Sequence, residues 1–284
     1  MDGHNSSASI TSVGDLVQLV SPTNKKILVR LTPGSQIHTH RGVISHDNLI
    51  GIPWGSEVYS HTGSSYVLLK PTLHDLLIET KRNTQILYPK DIGYILLKLG
   101  IGEGQIILEA GTGSGALTTA FAWYVGKSGR VISYDLRADV QNLARKNLQQ
   151  LGLDDRVTLK TKDVGEGFDE NEADALFLDL PNPFDYIEQV AKALKPGGNF
   201  GTILPTTNQV QKLLSALNHH HFGFLEVCEI LIRYYRPFAD KLRPTDRMVA
   251  HTGYLVFARP TLAGSFSVSL PANTDEPEKF TSDE

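Results

Sequence analysis

The sequence has a single cysteine, Cys228, among 284 residues. One thiol cannot close a disulfide within the chain or supply a thiolate metal cluster, so a redox framework and a zinc ribbon are both excluded. Cys228 stands in the apolar run 225–232, where core filling is the expected role. Long apolar runs are also missing. No stretch approaches the roughly 20 residues that a membrane-spanning helix needs. The start, Met1-Asp2-Gly3-His4-Asn5, has neither the basic flank nor the apolar segment of a secretory signal. A cytoplasmic protein with no membrane partner is expected.

Positive charge is in short supply as well, since the net charge of −4 weighs against broad phosphate binding. Residues 261–284, however, carry Asp275, Glu276, Glu278, Asp283 and Glu284 against Lys279 alone. That tail accounts for the whole excess and leaves a neutral body, so any nucleic-acid contact must rest on local clusters. No metal site is expected either. Six of the ten histidines (His4, His38, His40, His46, His61 and His74) fall in the first part of the chain without a compact ligand pattern such as His-Glu-x-x-His.

What remains is ordinary globular material, 40% hydrophobic and 20% charged. Residues 1–13 and 261–284 are polar and read as disordered. From 14 to 80, short β-type runs at 16–20, 26–31, 42–45 and 66–69 alternate with turn residues, which predicts a small β-barrel or sandwich. From 81 to 260, apolar strands at 105–109, 130–135, 157–160, 175–179, 199–204, 225–232 and 253–258 alternate with helices at 138–150, 184–194 and 208–218. This is an α/β pattern for a doubly wound seven-stranded sheet. The run Leu194-Lys195-Pro196-Gly197-Gly198 should stop its helix.

The chemistry-bearing motif is Glu109-Ala110-Gly111-Thr112-Gly113-Ser114-Gly115, set between a strand and a helix-like stretch from Ala116. Such a loop brings backbone N–H groups to a ligand at a helix N-terminus. Gly111, Gly113 and Ala116 also satisfy the dinucleotide pattern, so the loop alone leaves NAD open. Asp135 ends the next strand, where either nucleoside cofactor needs an acceptor for ribose hydroxyls. Glu109, Asp163 after the third strand and Asp179-Leu180-Pro181-Asn182-Pro183-Phe184 after the fourth separate the two readings. Together they resemble a class I S-adenosylmethionine-dependent methyltransferase. The same residues taken singly also suit a tight turn with capping acids. The Asp179 loop loosely resembles the motif of amino-group methyltransferases, with Leu180 intervening before the proline.

Wider blocks carry a narrower resemblance. They are 39–51 (Thr39-His40-Arg41-Gly42-Val43-Ile44-Ser45-His46-Asp47-Asn48-Leu49-Ile50-Gly51), Leu69-Lys70-Pro71-Thr72, 82–91, 109–115, Asp179-Leu180-Pro181 and His251-Thr252-Gly253-Tyr254-Leu255. Over residues 14 to 260 the chain resembles the tRNA adenine-N1 methyltransferases, which make 1-methyladenosine in the tRNA T-loop; the resemblance implies position 58 as the target and leaves open whether the adjacent 57 is modified too. One departure is Asp135, where many members carry glutamate.

The resemblance implies S-adenosylmethionine as cofactor, held by Gln85, Leu87, Tyr88, Glu109, Gly111, Thr112, Gly113, Ser114, Gly115, Asp135, Asp163, Val164 and Asp179. Asp179 takes the catalytic role, as a carboxylate beside the N6 amino group of the target adenine, with Tyr88 and His251 as base-packing or orienting groups. Tyr88 also suits a core position. Bacterial and archaeal members form homotetramers, whereas the eukaryotic catalytic subunit pairs with a different chain. Arg233, Arg236, Lys241, Arg243 and Arg247 form a basic cluster for tRNA, or equally a solvated loop or a surface packed on a neighbour. The competing functions are a methyltransferase on another acceptor (an exocyclic adenine amine or a protein carboxylate), a non-catalytic RNA-binding assembly subunit, and an NAD oxidoreductase.

Overall fold

The computed structural model describes residues 9–82 and 87–262. The disorder expected for residues 1–8 and 263–284, and the role expected of Gln85, lie outside them.

The N-terminal unit is built from β1 (Leu16–Val20), β2 (Lys26–Arg30), β3 (Gln36–Thr39), β4 (Gly42–Ser45), β5 (Glu57–Tyr59) and β6 (Ser65–Leu69). β2, β1, β6 and β5 form one antiparallel sheet in that order, and β3 pairs with β4 as a separate hairpin. Alternation puts Val17 and Leu19 of β1 and Tyr66 and Leu68 of β6 into a core with Leu31, Ile44 and Leu49. The Tyr66 hydroxyl is paired with Thr39 Oγ1 at 3.0 Å. β3 and β5 escape the sequence pattern because one has a single apolar residue and the other has three residues in all.

Two expectations for this region need correction. Residues 9–13 are not loose: Ile10 bridges to Pro53, and the buried Thr11 hydroxyl donates to the Leu49 carbonyl. Nor does the β unit run to residue 80, because α1 (Leu73–Glu79) packs its Leu73 and Leu77 into the core of the larger unit. Thr72 and Asp75 form a reciprocal capping box that starts this helix, a device worth about 1 kcal/mol.

The larger unit follows with α2 (Pro89–Lys98), β7 (Ile106–Ala110), α3 (Ala116–Val125), β8 (Arg130–Asp135), α4 (Ala138–Leu151), β9 (Val157–Thr161), β10 (Ala173–Leu178), α5 (Ile187–Ala193), β11 (Leu194–Leu204), α6 (Thr207–His219) and β12 (Phe222–Cys228). It ends with two short strands, β13 (Tyr235–Arg236) and β14 (Arg243–Pro244), and then β15 (Tyr254–Pro260). Seven strands form one sheet in the order β12-β15-β11-β10-β7-β8-β9. β15 runs antiparallel to both its neighbours, while β7 to β11 pair in parallel. The central strands are buried on both faces and read as near-continuous apolar runs, as parallel strands covered by helices do.

The chain leaves β7 toward β8 and β9 on one side and returns to β10 and β11 on the other. The switch point therefore lies between β7 and β10, which is where open α/β sheets place their ligands.

The strand expected at 225–232 begins and ends earlier. β15 offers no partner beyond Leu255, which pairs with Cys228, so Glu229 and the apolar residues 230–232 leave the sheet. The helix expected at 184–194 is a 3-10 turn at Pro183–Asp185 followed by the shorter α5. Cys228 is half-buried at the edge of the larger core. Among the described residues no helix is long and apolar enough to cross a membrane, and no group of His, Cys, Asp or Glu could hold a metal ion.

Candidate functional site

β7 delivers the glycine loop to the switch point. Gly111, Gly113 and Gly115 all have positive φ, at 97°, 51° and 83°, a region that side chains rarely adopt. Two of these glycines answer to packing. A Cβ on Gly111 would sit 3.0 Å from the carbonyl carbon of Asp179, and one on Gly115 would sit 3.1 Å from Cβ of Ala144 in α4. The loop is stitched down by the Gly111 N–H to the Tyr134 carbonyl at 2.8 Å and by Thr112 Oγ1 to Ser133 Oγ at 2.7 Å. Gly113 donates its N–H to Asp135 Oδ2 at 3.2 Å.

Glu109 is buried beneath the loop, and Oε2 accepts from the Thr118 hydroxyl at 2.5 Å. Burial pushes its carboxyl up to about 8, with the charges of Asp179 and Asp135 adding to the effect and the hydroxyls of Thr118 and Ser133 opposing it. Asp135 closes β8, with Oδ1 accepting from the Arg137 backbone N–H at 2.9 Å. Asp163 caps a 3-10 turn through the Gly165 N–H at 2.8 Å, and Val164 behind it is buried. The Ser114 hydroxyl is buried without a hydrogen-bond partner among the described residues.

Asp179 stands one residue past β10, its N–H still bonded to the Ala110 carbonyl at 2.8 Å. Asp179 is exposed to solvent on the cleft side, while the surrounding protein still crowds its carboxylate. Loss of hydration there, followed by the charge of Asp135, raises it from 3.8 to about 6. The cleft holds a cavity of about 360 Å³ lined by Leu87, Tyr88, Asp91, Asp179, Leu180, Pro181, Ile203, Leu204, Pro205 and Thr252. Tyr88 immediately precedes α2, where Pro89 fits the first helical position and leaves no N–H unpaired. The Tyr88 side chain is partly exposed, not a core residue.

His251 does not line this cavity. Its Nδ1 is 2.8 Å from Glu229 Oε2 and its Nε2 is 3.1 Å from the Pro205 carbonyl, so both ring nitrogens are engaged. The Glu229 carboxylate, then the Pro205 carbonyl, raises its proton affinity. The residue after it, Thr252, is in the cavity wall, as is Asp91. Neither carried a role in the sequence reading, because their meeting joins positions 161 apart in the chain. Asn147 was missed for a similar reason: buried in α4, it donates to the carbonyls of Ser114 and Lys81, both at 2.9 Å.

The basic cluster forms an arm between β12 and β15, carrying the small β13–β14 hairpin. The register sets Arg236 opposite Arg243, and Arg236 is ion-paired with Asp246. Arg233, Lys241, Arg243 and Arg247 are exposed. So are Tyr234, Tyr235, Phe238, Leu242 and Val249. The arm is therefore as apolar as it is basic.

Comparison with known proteins places this geometry in a family. Residues 64–246 match the family described as the tRNA methyltransferase complex GCD14 subunit, and residues 11–58 match the TrmI-like N-terminal family. The tRNA (adenine(57)-N(1)/adenine(58)-N(1))-methyltransferase TrmI of Methanocaldococcus jannaschii is 36% identical over 267 residues, covering 85% of this chain and 93% of that protein. The tRNA (adenine(58)-N(1))-methyltransferase TrmI of Thermus thermophilus is 33% identical, covering 80% and 89%. Among solved structures, tRNA (m1A58) methyltransferase TrmI from Aquifex aeolicus superposes with a TM-score of 0.72 at 36% identity, covering 88% and 98%. A SAM-dependent O-methyltransferase from Thermotoga maritima gives 0.80 at 41%, covering 93% and 99%.

Proposed function

The chain belongs to the GCD14/TrmI family of tRNA adenine-N1 methyltransferases, and from that premise we propose that it methylates N1 of an adenosine in the tRNA T-loop, using S-adenosylmethionine. The observation that carries this reading is the position of Asp179, whose backbone abuts Gly111 of the cofactor loop while its carboxylate lines the cavity that Tyr88 walls.

The residues around the loop fit the cofactor. Asp135 keeps a lone pair on Oδ2 for a ribose hydroxyl, the buried Ser114 hydroxyl lacks a partner among the described residues, and the loop leads directly into the N-terminus of α3. Leu87, Tyr88, Glu109, Thr112, Asp163 and Val164 complete the proposed holding set. When bound, S-adenosylmethionine supplies an electrophilic methyl group. Adenine N1 already has a free lone pair, so no strong base is required of the protein. The requirement is placement, which fixed walls provide. Methylation leaves the purine cationic, and an ionised Asp179 beside the N6 amino group stabilises that charge. N1 lies on the pairing edge, so the nucleotide must be unpaired or extruded before it enters the cavity. Tyr88 supplies a ring face for that base. His251, held by two acceptors, orients the Pro205 wall from outside the cavity.

The exposed arm supports two further parts of the reading: Arg233, Lys241, Arg243 and Arg247 as contacts to tRNA phosphates, and the aromatic and aliphatic side chains between them as an interface between copies in a homotetramer. The test is to incubate the pure protein with labelled S-adenosylmethionine and unmodified tRNA and to digest the RNA to nucleosides. Label in 1-methyladenosine supports the proposal. Label only in N6-methyladenosine, in a methylated oxygen or in protein removes it.

A further inference from the structure

Beneath Tyr88 lies a buried polar triangle. Lys90 Nζ is 2.8 Å from Asp91 Oδ1 and 2.5 Å from Thr252 Oγ1, and Thr252 Oγ1 donates in turn to Asp91 Oδ2 at 2.9 Å. The Asp91 side chain is 0% exposed and that of Lys90 is 8% exposed. Three features of this group are unexpected for mere stability. A buried ion pair offers little over apolar packing of the same volume. A lysine in the first turn of a helix opposes the helix dipole. Finally, adjacent residues do not face each other on a helix, so the two charged heads converge here because Thr252, brought in just ahead of β15, accepts from one and donates to the other.

The triangle ties the two walls of the cavity together. On one side, the Tyr88 carbonyl accepts the N–H groups of Asp91 and Ile92 at 2.9 and 3.0 Å, so the first turn of α2 and Tyr88 move as one piece. On the other side, Thr252 is flanked by His251, bonded to the Pro205 carbonyl, and by Gly253, where a Cβ would meet Ile203 Cγ1 at 2.6 Å. Asp91 and Thr252 both line the cavity that holds Asp179. The pairing also cancels the lysine charge, so Asp179 is left as the uncompensated charge facing a base that becomes cationic.

We propose that Lys90, Asp91 and Thr252 form a positioning device that sets Tyr88 against the target base, a role that rests on the cavity being the acceptor site. Thr252→Val keeps the shape and removes both hydrogen bonds, whereas Thr252→Ser keeps the hydroxyl. Placement is read without RNA by 19F NMR of the full chain with 3-fluorotyrosine at position 88, and its consequence is read in the kinetics.

Thr252→Val should shift or broaden the Tyr88 resonance and lower kcat by about tenfold or more, as small misplacements of reacting groups do. Cofactor affinity should stay near the wild-type value and the melting temperature should fall by only about 2–6 °C, as for a lost buried hydrogen bond in a fold of this size, and Thr252→Ser should restore both signal and rate. An unchanged resonance with wild-type kcat would overturn the proposal. So would a loss of rate explained by lost cofactor binding or lost fold, or a serine variant that behaves like valine. If wild-type enzyme methylates some other acceptor, the reading of the cavity fails on product identity, while the fluorine signal still reports whether the triangle places Tyr88.

Discussion

Gly111 and Asp179 are in backbone contact across the switch point: a Cβ on the glycine would lie 3.0 Å from the carbonyl carbon of the aspartate and nearer still to its oxygen. The glycine loop and the end of β10 thus form one junction. Gly111→Ala adds a side chain where φ is 97° and where backbone, not a flexible side chain, is the obstacle. The left-handed conformation alone costs roughly 1–2 kcal/mol, and the displaced Asp179 adds to it. The expected outcome is a lower denaturant midpoint together with a loss of turnover greater than the loss of cofactor affinity, checked by urea unfolding, calorimetric cofactor binding and initial rates.

Asp179 must be ionised for its proposed role, and its carboxyl titrates at about 6 in the fold against 3.8 ordinarily. Activity should therefore be full above that value and fall as pH drops through about 6. Asp135→Asn removes the nearby charge that contributes to the elevation, so the acid limb of its kcat profile should move to lower pH, whatever it does to cofactor affinity. Asp179→Ala should cost at least about 100-fold in kcat, in the range of a lost electrostatic partner, while leaving cofactor binding largely intact. Initial rates across pH and equilibrium binding check both points.

Glu109 gives a stability prediction with a definite sign. Its folded carboxyl titrates at about 8 against 4.5 ordinarily, so between those values the native state holds a proton that the unfolded state has released. The stabilisation from keeping it neutral is full below about 4.5 and fades as pH rises through about 8. Glu109→Gln mimics the protonated form and should flatten this part of the urea midpoint against pH. The wild-type decline persisting unchanged in the glutamine variant would assign it to another group.

Much of this site was legible in the sequence because its parts are local. β8 was readable to the residue, since Gly129 precedes the β-type segment Arg130-Val131-Ile132-Ser133-Tyr134 that Asp135 closes, and the glycine loop announced itself between β7 and α3. α1 and α2 went unread although Thr72 with Asp75 and Pro89 are ordinary start signals. Both helices are short and sit beside β-type segments that drew the reading. The triangle of Lys90, Asp91 and Thr252, and the bracket made by Asn147, had no local signal at all. They depend on how β15 and α4 are docked, which tertiary packing decides. His251 shows the converse: it was readable in its motif, but its ring turns away to Glu229 and Pro205.

The two roles proposed for the arm between β12 and β15 can be separated by mutation. Arg243→Glu with Arg247→Glu should weaken tRNA binding and flatten its salt dependence by about one unit of slope or more per lost phosphate contact. Phe238→Ser with Leu242→Ser should instead lower the assembly state seen by light scattering. An unchanged salt slope in the first variant would make those arginines structural.

The decisive measurement is the identity of the nucleoside formed from unmodified tRNA by the purified chain and labelled S-adenosylmethionine. The expected product is 1-methyladenosine from the T-loop, formed by wild type and lost in Asp179→Ala. Label confined to N6-methyladenosine, to a methylated oxygen or to protein would contradict it.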